Sequence, residues 1–477
     1  MRVFMIGTLA VAVLQAGCLA HVERLPQADP AGSASYFSQS QDPDVIVGVA
    51  LSGGGSRAAL FAAGGLKALA LVPVGPERRS LLEQVSHLSS VSGGSLAASY
   101  FVSQKPPRAT PVLGPDGALT NEYRIFFDRY QDAMGENYER PILLRQTWNF
   151  RAFNPTKAAT SLSEVLDDGY LGGLTLRQLN QREARGDSPR LIINTTLYNN
   201  GRRFVITTLP REAFQYNVLQ ELRAALKSRG QALEFPPSLA RAQAELTPWT
   251  FDDLGADPRN VPLSKAVAAS ASFPPLVGPV TVQVAGSDLF WHAGDGGLFD
   301  NQGTESLMQV ALKKLREGTA RRALILVLDS SYPFTLGSER LGRTEKGFTV
   351  FTRDPSRIVG IMEQRANAYQ AMVWHILQAG GILLPDARTV TVIVLRHTDA
   401  AWHDDLGDVP AVCRREESEL NSPRAVNERL AQIPTRFAID SDCDRQLLVA
   451  AAAKVVAGQA PRILEFLEGR PGQGGAP

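Results

Sequence analysis

The hydrophobic pattern divides the chain into an apolar start, a polar segment and a long region of alternating strands and helices. Phe4 to Ala16 is almost continuously apolar, whereas residues 21–43 are polar and contain several Pro, Ser and Gln residues. Asp44 to Leu51 is an apolar, β-branched run, which is typical of a buried parallel strand. Consecutive glycines end this run, and Ser56 to Leu71, rich in Ala and Leu, is predicted to form a helix.

The order of strand, tight turn and helix then occurs a second time. Gln84 to Val91 is the second predicted strand, and Ser95 to Val102 is the second predicted helix. Asn199-Asn200-Gly201 is a hairpin signal between two later strands. These later strands are predicted at Arg190–Leu197, Arg203–Leu209, Ala323–Asp329 and Thr389–Arg396. The order predicts a three-layer α/β/α fold with a central, mostly parallel sheet and helical insertions.

The remaining stretches set the predicted domain boundaries. We predict a signal peptide over residues 1–20, a polar tether over 21–43 and a main domain over 44–330. The main domain contains an insertion near 105–187, and residues 331–477 are predicted to form an extension that packs on it. A loop is predicted over Tyr332 to Ser356.

The insertion is rich in aromatic side chains. Core packing is the more frequent use of such residues, and a lid or a membrane-facing surface is the alternative. The residues concerned are Tyr123, Phe126, Phe127, Tyr130, Tyr138, Trp148, Phe150 and Phe153.

Composition narrows the function classes. With 44% hydrophobic and 20% charged residues, the 477-residue chain is typical of a globular protein. Lys and Arg together number 49 against 48 for Asp and Glu, so the chain lacks the basic surplus of a nucleic-acid binder. The His, Asp and Glu residues show no metal-ligand spacing such as His-Glu-x-x-His. We therefore expect no nucleic-acid partner, no metal and no cofactor.

The N-terminus predicts export. Arg2, the apolar run and the small residues that follow form a secretory signal. Leu14 to Cys18 resembles a bacterial lipobox in which Cys18 is lipidated, although Gln15 stands where Leu is usual. The alternatives are plain cleavage after Ala20 and an uncleaved anchor. We expect a lipoprotein anchored in the bacterial cell envelope, in the periplasm or at the outer membrane.

Two further cysteines, Cys413 and Cys443, remain in the C-terminal segment. An even number of cysteines in an exported protein favours a disulfide between them. Two buried free thiols are the alternative.

The segment Ser90-Val91-Ser92-Gly93-Gly94 has the form small-x-Ser-x-Gly between a strand and a helix. A serine on such a sharp turn exposes its hydroxyl at the top of the sheet, where the following helix N-terminus favours an oxyanion. A Ser/Gly-rich turn without chemistry is the alternative.

Two other glycine-rich segments accompany it. Gly53-Gly54-Gly55-Ser56-Arg57 exposes backbone N–H groups to an anion, but it lacks the Gly-Lys-Ser/Thr ending of a nucleotide P-loop. Arg57 either holds a lipid phosphate or faces solvent. Asp295-Gly296-Gly297 is a carboxylate beside glycines, which alone is also a common turn sequence.

Together, the three segments resemble the patatin-like phospholipase family in order and separation. Ala266 to Pro274 resembles a further segment of that family. The resemblance covers roughly residues 44 to 301, with a weaker continuation to about residue 330. Ser90 in place of Gly, and Ala58 where Gly often follows the Arg, are departures from the family pattern.

The resemblance implies a serine acyl-ester hydrolase that acts on lipids, in the manner of a phospholipase A or a lysophospholipase, at a membrane surface. Ser92 would be the nucleophile and Asp295 the general base, with an oxyanion hole at Gly53, Gly54 and Gly55. Because aspartate in water is a weak base, the site must be dry to raise its basicity.

Two alternatives compete with this dyad. His397 and His403 follow Asp295 and give the Ser…Asp…His order of a three-residue triad in an esterase or lipase. The second alternative is a non-enzymatic, lipid-binding lipoprotein of the cell envelope.

Overall fold

The computed structural model describes residues 21–29, 36–39, 43–148, 156–228, 230–231, 234–273, 277–331, 361–362, 364–372, 388–416 and 420–469. The predicted signal peptide with Cys18 and the predicted loop at 332–356 lie outside the described residues, as do Phe150, Phe153 and Pro274.

A nine-stranded sheet forms the centre of the molecule, in the order β1-β8-β9-β6-β5-β2-β10-β11, with β7 paired to β6. Strands β3 and β4 form a separate two-stranded ribbon. The strands are β1 Val22–Leu25, β2 Val45–Leu51, β3 Pro73–Val74, β4 Arg79–Ser80, β5 Val85–Val91, β6 Arg190–Leu197, β7 Arg202–Thr207, β8 Val280–Val284, β9 Phe290–Asp295, β10 Arg322–Asp329 and β11 Thr389–Arg396.

Helices cover both faces of the sheet and confirm the predicted α/β/α layers. They are α1 Gly55–Ala70, α2 Gly93–Gln104, α3 Asn121–Gly135, α4 Glu139–Trp148, α5 Thr156–Leu166, α6 Leu176–Ala184, α7 Val218–Ser228, α8 Pro237–Leu246, α9 Phe251–Leu254, α10 Leu263–Ser270, α11 Thr304–Glu317, α12 Ala411–Glu416, α13 Pro423–Gln432 and α14 Asp442–Leu467. Residues 361–362 and 364–372 are also helical.

The central strands are apolar along their whole length because both of their faces are buried. In β2, Val47 and Val49 pack in the core on the α1 and α2 face, whereas Ile46 and Ala50 pack in the core under α11. Strands β5, β2 and β10 run parallel, so their carboxyl ends meet at one edge of the sheet. This edge carries the glycine-rich loop and Ser92.

One edge of β6 is shared by two strands that approach from opposite directions. Strand β5 runs parallel to β6 and ends at Val91, which pairs with Asn194. Strand β9 runs antiparallel and ends at Asp295, which pairs with the next residue, Thr195. The other edge of β6 is taken by β7. The ends of β5 and β9 therefore face each other, and this brings the two predicted catalytic segments together.

The segment predicted to be a tether differs from that expectation. Residues Val22–Leu25 form β1, which pairs in parallel with β8 from Val22 opposite Thr281 to Leu25 opposite Val284. Leu25 packs against the core, and Lys265 pairs with the carboxylate of Glu23. A four-residue strand with two charged members has too weak a local pattern to separate it from a polar linker.

The aromatic residues of the insertion pack mainly in the core. Tyr123, Phe126, Phe127 and Tyr130 are buried and lie against one another and against α2. Trp148 is the exception among the described aromatics of the insertion, because 87% of it is exposed.

The C-terminal helices pack on the face that carries α1. Helix α14 covers α1 and also contacts β11. It is long and apolar enough to cross a membrane, with a mean hydropathy of 1.4 over its most apolar window. Its buried residues, such as Leu447 and Leu448, belong to the core, which accounts for this apolar character.

A disulfide joins Cys413 of α12 to Cys443 of α14. Both cysteines are fully buried. The bridge closes a loop with a sequence separation of 30 residues and holds α12 and α13 against the helix that covers α1.

We expect the double substitution Cys413→Ala and Cys443→Ala to lower the free energy of unfolding by about 3–4 kcal/mol, because it releases the loop in the unfolded chain. Denaturant unfolding followed by circular dichroism measures this loss. Reductant should bring the wild type to the stability of the double variant and leave the variant unchanged. Equal stability of the oxidised wild type and the double variant would contradict the prediction.

Candidate active site

Ser92 occupies a sharp turn between β5 and α2. Its backbone has φ of +50°, a conformation that non-glycine residues rarely adopt. Its N–H donates to Ser270 Oγ at 3.0 Å. A Cβ placed on Gly93 would lie 2.0 Å from the carbonyl oxygen of Gly55, and one on Gly94 would lie 2.4 Å from that of Leu51. The two glycines after the serine are therefore needed for close backbone packing.

The side chains of Ser92 and Asp295 are in direct contact. Ser92 Oγ donates to Asp295 Oδ2 at 2.8 Å. The other carboxylate oxygen, Oδ1, accepts the N–H of Gly297 at 2.8 Å. Ser92 is 8% exposed and Asp295 is 3% exposed, so the hydrogen bond is almost completely shielded from water.

Burial changes the electrostatics of this carboxylate. Loss of hydration raises the pKa of Asp295 to about 6, although the hydrogen bonds from Gly297 and Ser92 oppose the increase. Gly296 allows the carboxylate loop to pass close to β6, because a Cβ there would lie 2.3 Å from the carbonyl oxygen of Asn194. The site is therefore dry enough to make the aspartate a stronger base than it is in water.

The glycine-rich loop lies beside the serine. A Cβ on Gly53 would lie 3.3 Å from Ser92 Cβ. Gly53 was expected to donate its N–H to the oxyanion. Instead, this N–H donates to the carbonyl oxygen of Asn301 at 2.8 Å. Gly54 and Gly55 have φ of +138° and +63°, and among the described residues their N–H groups have no acceptor. These two N–H groups lie at the N-terminus of α1.

Arg57 neither faces solvent nor is available to a phosphate, so both interpretations of it are wrong. Its side chain is fully buried and donates to the carbonyl oxygens of Ser330 and Ile433 and to Thr435 Oγ1. A guanidinium with several donors can satisfy these acceptors together. Arg57 thereby fixes the first turn of α1 to the end of β10 and to the C-terminal helices.

A buried network of small polar side chains supports the Ser92 turn. Ser95 Oγ donates to Ser90 Oγ at 3.0 Å and lies 2.9 Å from Ser270 Oγ. Ser270 Oγ in turn donates to the carbonyl oxygen of Asn194 at 2.7 Å. Ser90 is therefore part of a hydrogen-bonded chain as well as a small residue.

The sequence alone did not identify three residues of the site. Ser270 and Asn194 belong to this network, and Asn301 lies beside it. Ser270 lies in the segment that resembles the family between the nucleophile and the aspartate, which was the available signal. Asn194 donates to Ser89 Oγ and to the carbonyl oxygen of Ser90, at 2.9 and 3.0 Å. Asn301 joins the glycine loop to the Asp295 loop through its backbone and its side chain.

The described histidines make their contacts away from Ser92 and Asp295, so they do not form a catalytic triad with them. His397 Nδ1 lies 3.3 Å from the carbonyl oxygen of Asp329, and burial lowers the pKa of His397 to about 3. His403 is largely exposed and lies near Asp408. Among the described residues, no histidine hydrogen-bonds to Ser92 or Asp295. His375 lies outside the described residues.

No group of three or more His, Cys, Asp or Glu side chains in the described ranges could hold a metal ion. Two described cavities, one lined by Tyr36, Thr208 and Glu212 and the other by Phe204, Phe251 and Ala293, do not include either member of the Ser92–Asp295 pair.

We expect Asp295→Asn to be more stable than the wild type at pH 8 by about 3 kcal/mol, since each pKa unit corresponds to about 1.4 kcal/mol. The pKa of Asp295 rises from 3.8 in the unfolded chain to about 6 in the folded protein. Its contribution to stability is thus fully present below about pH 4 and is lost as the pH rises through about 6.

The free energy of unfolding of both proteins between pH 4 and pH 8 tests this expectation. The stability difference should vanish towards pH 4. Asp288→Asn, at an exposed carboxylate, is the control and should leave the pH dependence as it is in the wild type. A difference for Asp295→Asn that is the same at pH 4 and pH 8 would show that burial does not raise the pKa.

Several solved structures are similar to the chain, among them two of a human phospholipase and one of a Legionella protein. Human GIVD cytosolic phospholipase A2 matches with 14% identity and a TM-score of 0.42, over 89% of this chain and 62% of that chain. Its complex with methyl gamma-linolenyl fluorophosphonate and terbium chloride matches with 16% identity and a TM-score of 0.44, over 90% and 60% of the two chains. VipD from Legionella pneumophila matches with 13% identity and a TM-score of 0.27, over 94% and 81%.

The chain spans about three fifths of the length of the human chains that it matches. A search of curated protein sequences finds no match. The family model described as patatin-like phospholipase matches residues 49–308, which are 260 of the 477 residues and include the glycine-rich loop, Ser92 and Asp295. Because this match covers more than half of the chain, the chain belongs to the patatin-like phospholipase family.

Proposed function

We propose that this protein hydrolyses acyl esters of lipids through a dyad of Ser92 and Asp295. The observation that carries the proposal is the buried 2.8 Å hydrogen bond from Ser92 Oγ to Asp295 Oδ2. A serine hydroxyl that donates to a shielded carboxylate is arranged as a nucleophile with its base. The strained backbone of Ser92 also supports a catalytic role, because such strain is concentrated at functional sites.

In the proposed reaction, Ser92 Oγ attacks the ester carbonyl carbon and Asp295 accepts the serine proton. The tetrahedral intermediate collapses, the bond to the alcohol oxygen breaks, and Asp295 returns the proton to that oxygen. Water then attacks the acyl carbon while Asp295 accepts a proton from the water. The bond between the acyl carbon and Ser92 Oγ breaks, and Asp295 returns the proton to Ser92 Oγ. The products are the alcohol released in the first step, a fatty acid and the free enzyme.

The developing oxyanion is assigned to the N–H groups of Gly54 and Gly55. Both stand at the N-terminus of α1, where the helix dipole favours negative charge. The N–H of Gly53 is left out of this assignment because Asn301 accepts it. Through this hydrogen bond to Asn301, Gly53 instead holds the glycine-rich loop beside Ser92.

A lipid substrate follows from family membership, and an enzyme of the phospholipase A or lysophospholipase kind is our proposal. Arg57 does not contribute to headgroup recognition because it is committed to backbone carbonyls. The described contacts favour the dyad over the triad, since no described histidine bonds to either member. A purely lipid-binding role leaves the Ser92–Asp295 hydrogen bond without a purpose.

We also propose that the protein is exported and held at the bacterial cell envelope through Cys18. The support is the apolar run of Phe4 to Ala16 and the lipobox-like sequence that ends at Cys18. A multiply acylated cysteine anchors a protein stably, whereas a single chain binds only marginally. Anchoring would keep the hydrolase next to its substrate.

The reaction of the wild type with a fluorophosphonate probe should depend on pH as the ionisation of Asp295 does. Only the ionised carboxylate accepts a proton, so the labelling rate should rise with an apparent pKa of about 6 and level off towards neutral pH. Well below that pKa, the rate should fall about tenfold for each pH unit. The labelling rate at each pH is measured from samples that are quenched at a series of times.

Ser92→Ala should show no labelling at any pH, and Ser103→Ala, at a serine near the end of α2, should label like the wild type. A rate that is flat between pH 4.5 and pH 7 would argue against Asp295 as the base. Labelling that persists in Ser92→Ala would mean that the nucleophile lies elsewhere.

Cys18→Ser should release the protein from membranes without loss of serine reactivity, because lipidation needs the thiol. Membrane fractionation of expressing cells, followed by fluorophosphonate labelling of each fraction, measures both properties. Cys413→Ser provides a cysteine control and should stay with the membranes. If Cys18→Ser fractionates with membranes as the wild type does, lipidation is not the anchor.

A further inference from the structure

We propose that the rim around the Ser92–Asp295 site is the surface that docks on a lipid bilayer. The inference rests on the proposed function, which makes the substrate a lipid. The rim consists of three groups of exposed apolar side chains: the hairpin group (Tyr198, Leu289, Phe290 and Leu298), the α4 group (Leu143, Leu144 and Trp148) and the 361–372 group (Ile361, Met362, Tyr369 and Met372).

The hairpin group stands beside the catalytic aspartate. The ring of Tyr198 packs against Gly294, the residue before Asp295. Asn199 ties the β6–β7 turn to β9, because its Nδ2 donates to the carbonyl oxygen of Phe290 at 2.9 Å. Phe290 lies five residues before Asp295 along β9, which places it about 16 Å from the aspartate along the strand.

The α4 group stands beside the glycine-rich loop. Glu139, the first residue of α4, pairs with Arg436 at 2.6 Å. The carbonyl oxygen of Arg436 accepts the N–H of Ser56 at 2.7 Å, directly after the glycines. Leu144 and Trp148 are one helical turn apart on the exposed side of α4, so they present a common apolar face.

The 361–372 group approaches the site from a third direction. Gln370 Nε2 donates to Thr304 Oγ1 at 3.1 Å. Thr304 begins α11, three residues after Asn301, which contacts the glycine loop. Exposed apolar groups therefore adjoin the aspartate, the glycine-rich loop and the Asn301 loop.

This distribution is uneven over the molecule. Fifteen large hydrophobic side chains are exposed among the described residues, and eleven of them belong to the rim. Leu71, at the far end of α1 and thus at the opposite end of the sheet, is one of the four others. Concentrated exposed apolar area marks a surface that a partner covers.

The occupant that fits this surface is a bilayer. The dyad is buried, so its substrate has to enter through the rim, and a lipid that enters from a membrane never crosses water. Aromatic and long aliphatic side chains suit the boundary between headgroups and acyl chains. Leu289 and Phe290, 61% and 45% exposed at a hairpin tip, are placed to insert there.

The test is co-sedimentation with phosphatidylcholine vesicles, using protein that lacks residues 1–20 and carries Ser92→Ala. Removal of residues 1–20 takes away none of the described elements. The double variants Leu289→Ser/Phe290→Ser and Leu144→Ser/Trp148→Ser lose inserted apolar area. Each should therefore bind the vesicles at least about tenfold more weakly than the parent protein. Since apolar insertion is little affected by salt screening, binding should change less than twofold between low and high salt.

Leu71→Ser/Leu239→Ser is the matched control, with two exposed leucines outside the rim, and should bind within twofold of the parent protein. The proposal is overturned if both rim variants bind like the parent, or if the control weakens binding equally. It is also overturned if gel filtration shows that the rim residues join two copies of the chain and vesicle binding is unaffected.

The outcome can be separated from the fate of the proposed function. With Ser92 restored, the rim variants should hydrolyse a soluble short-chain ester at the wild-type rate but lose about tenfold in rate on vesicles, which follows from weaker partitioning. If the wild type neither labels with fluorophosphonate nor cleaves the soluble ester, the proposed function fails. The sedimentation result then still decides the docking proposal, because it uses the Ser92→Ala protein.

Discussion

The hydrogen bond between Ser92 and Asp295 depends on the exclusion of water, and most of the fold around it maintains that exclusion. An aspartate in water is a weak base for a hydroxyl group, whereas desolvation raises the pKa of Asp295 to about 6. Two hydrogen bonds at 2.8 Å offset part of the cost of burying the carboxylate. A dry contact of this kind needs close backbone packing, which Gly93, Gly94 and Gly296 provide.

Ser92 and Asp295 are positioned by two strands of the sheet whose ends meet. Ser92 follows β5 and Asp295 ends β9, and both strands use the same edge of β6. Their separation is thus set by the spacing of consecutive residues in β6, a rigid element buried on both faces. Arg57 and Asn301 then fix the glycine-rich loop to this arrangement through backbone contacts.

The sequence predicts those parts of the fold whose local pattern is strong. Strand β5, helix α2 and the glycine-rich loop are recognisable because apolar runs, glycines and a helix follow one another directly. Strands β1, β8 and β9 are short and contain polar residues, so their pairing comes from tertiary contacts. Arg57 was misjudged because its acceptors, Ser330 and Ile433, come from 273 and 376 residues further along the chain. Ser270 and Asn194 act only through such distant contacts.

Strand β1 also imposes an order on folding. It is the first described element of the chain, yet its partner β8 begins with Val280, and Val22 pairs with Thr281. During synthesis, β1 cannot join the sheet until more than half of the chain has followed it. Closing so long a loop is slow, because its entropic cost precedes any gain from pairing. This edge of the sheet therefore stays open until β1 pairs with β8, and until then β8 exposes unpaired backbone that another chain could bind.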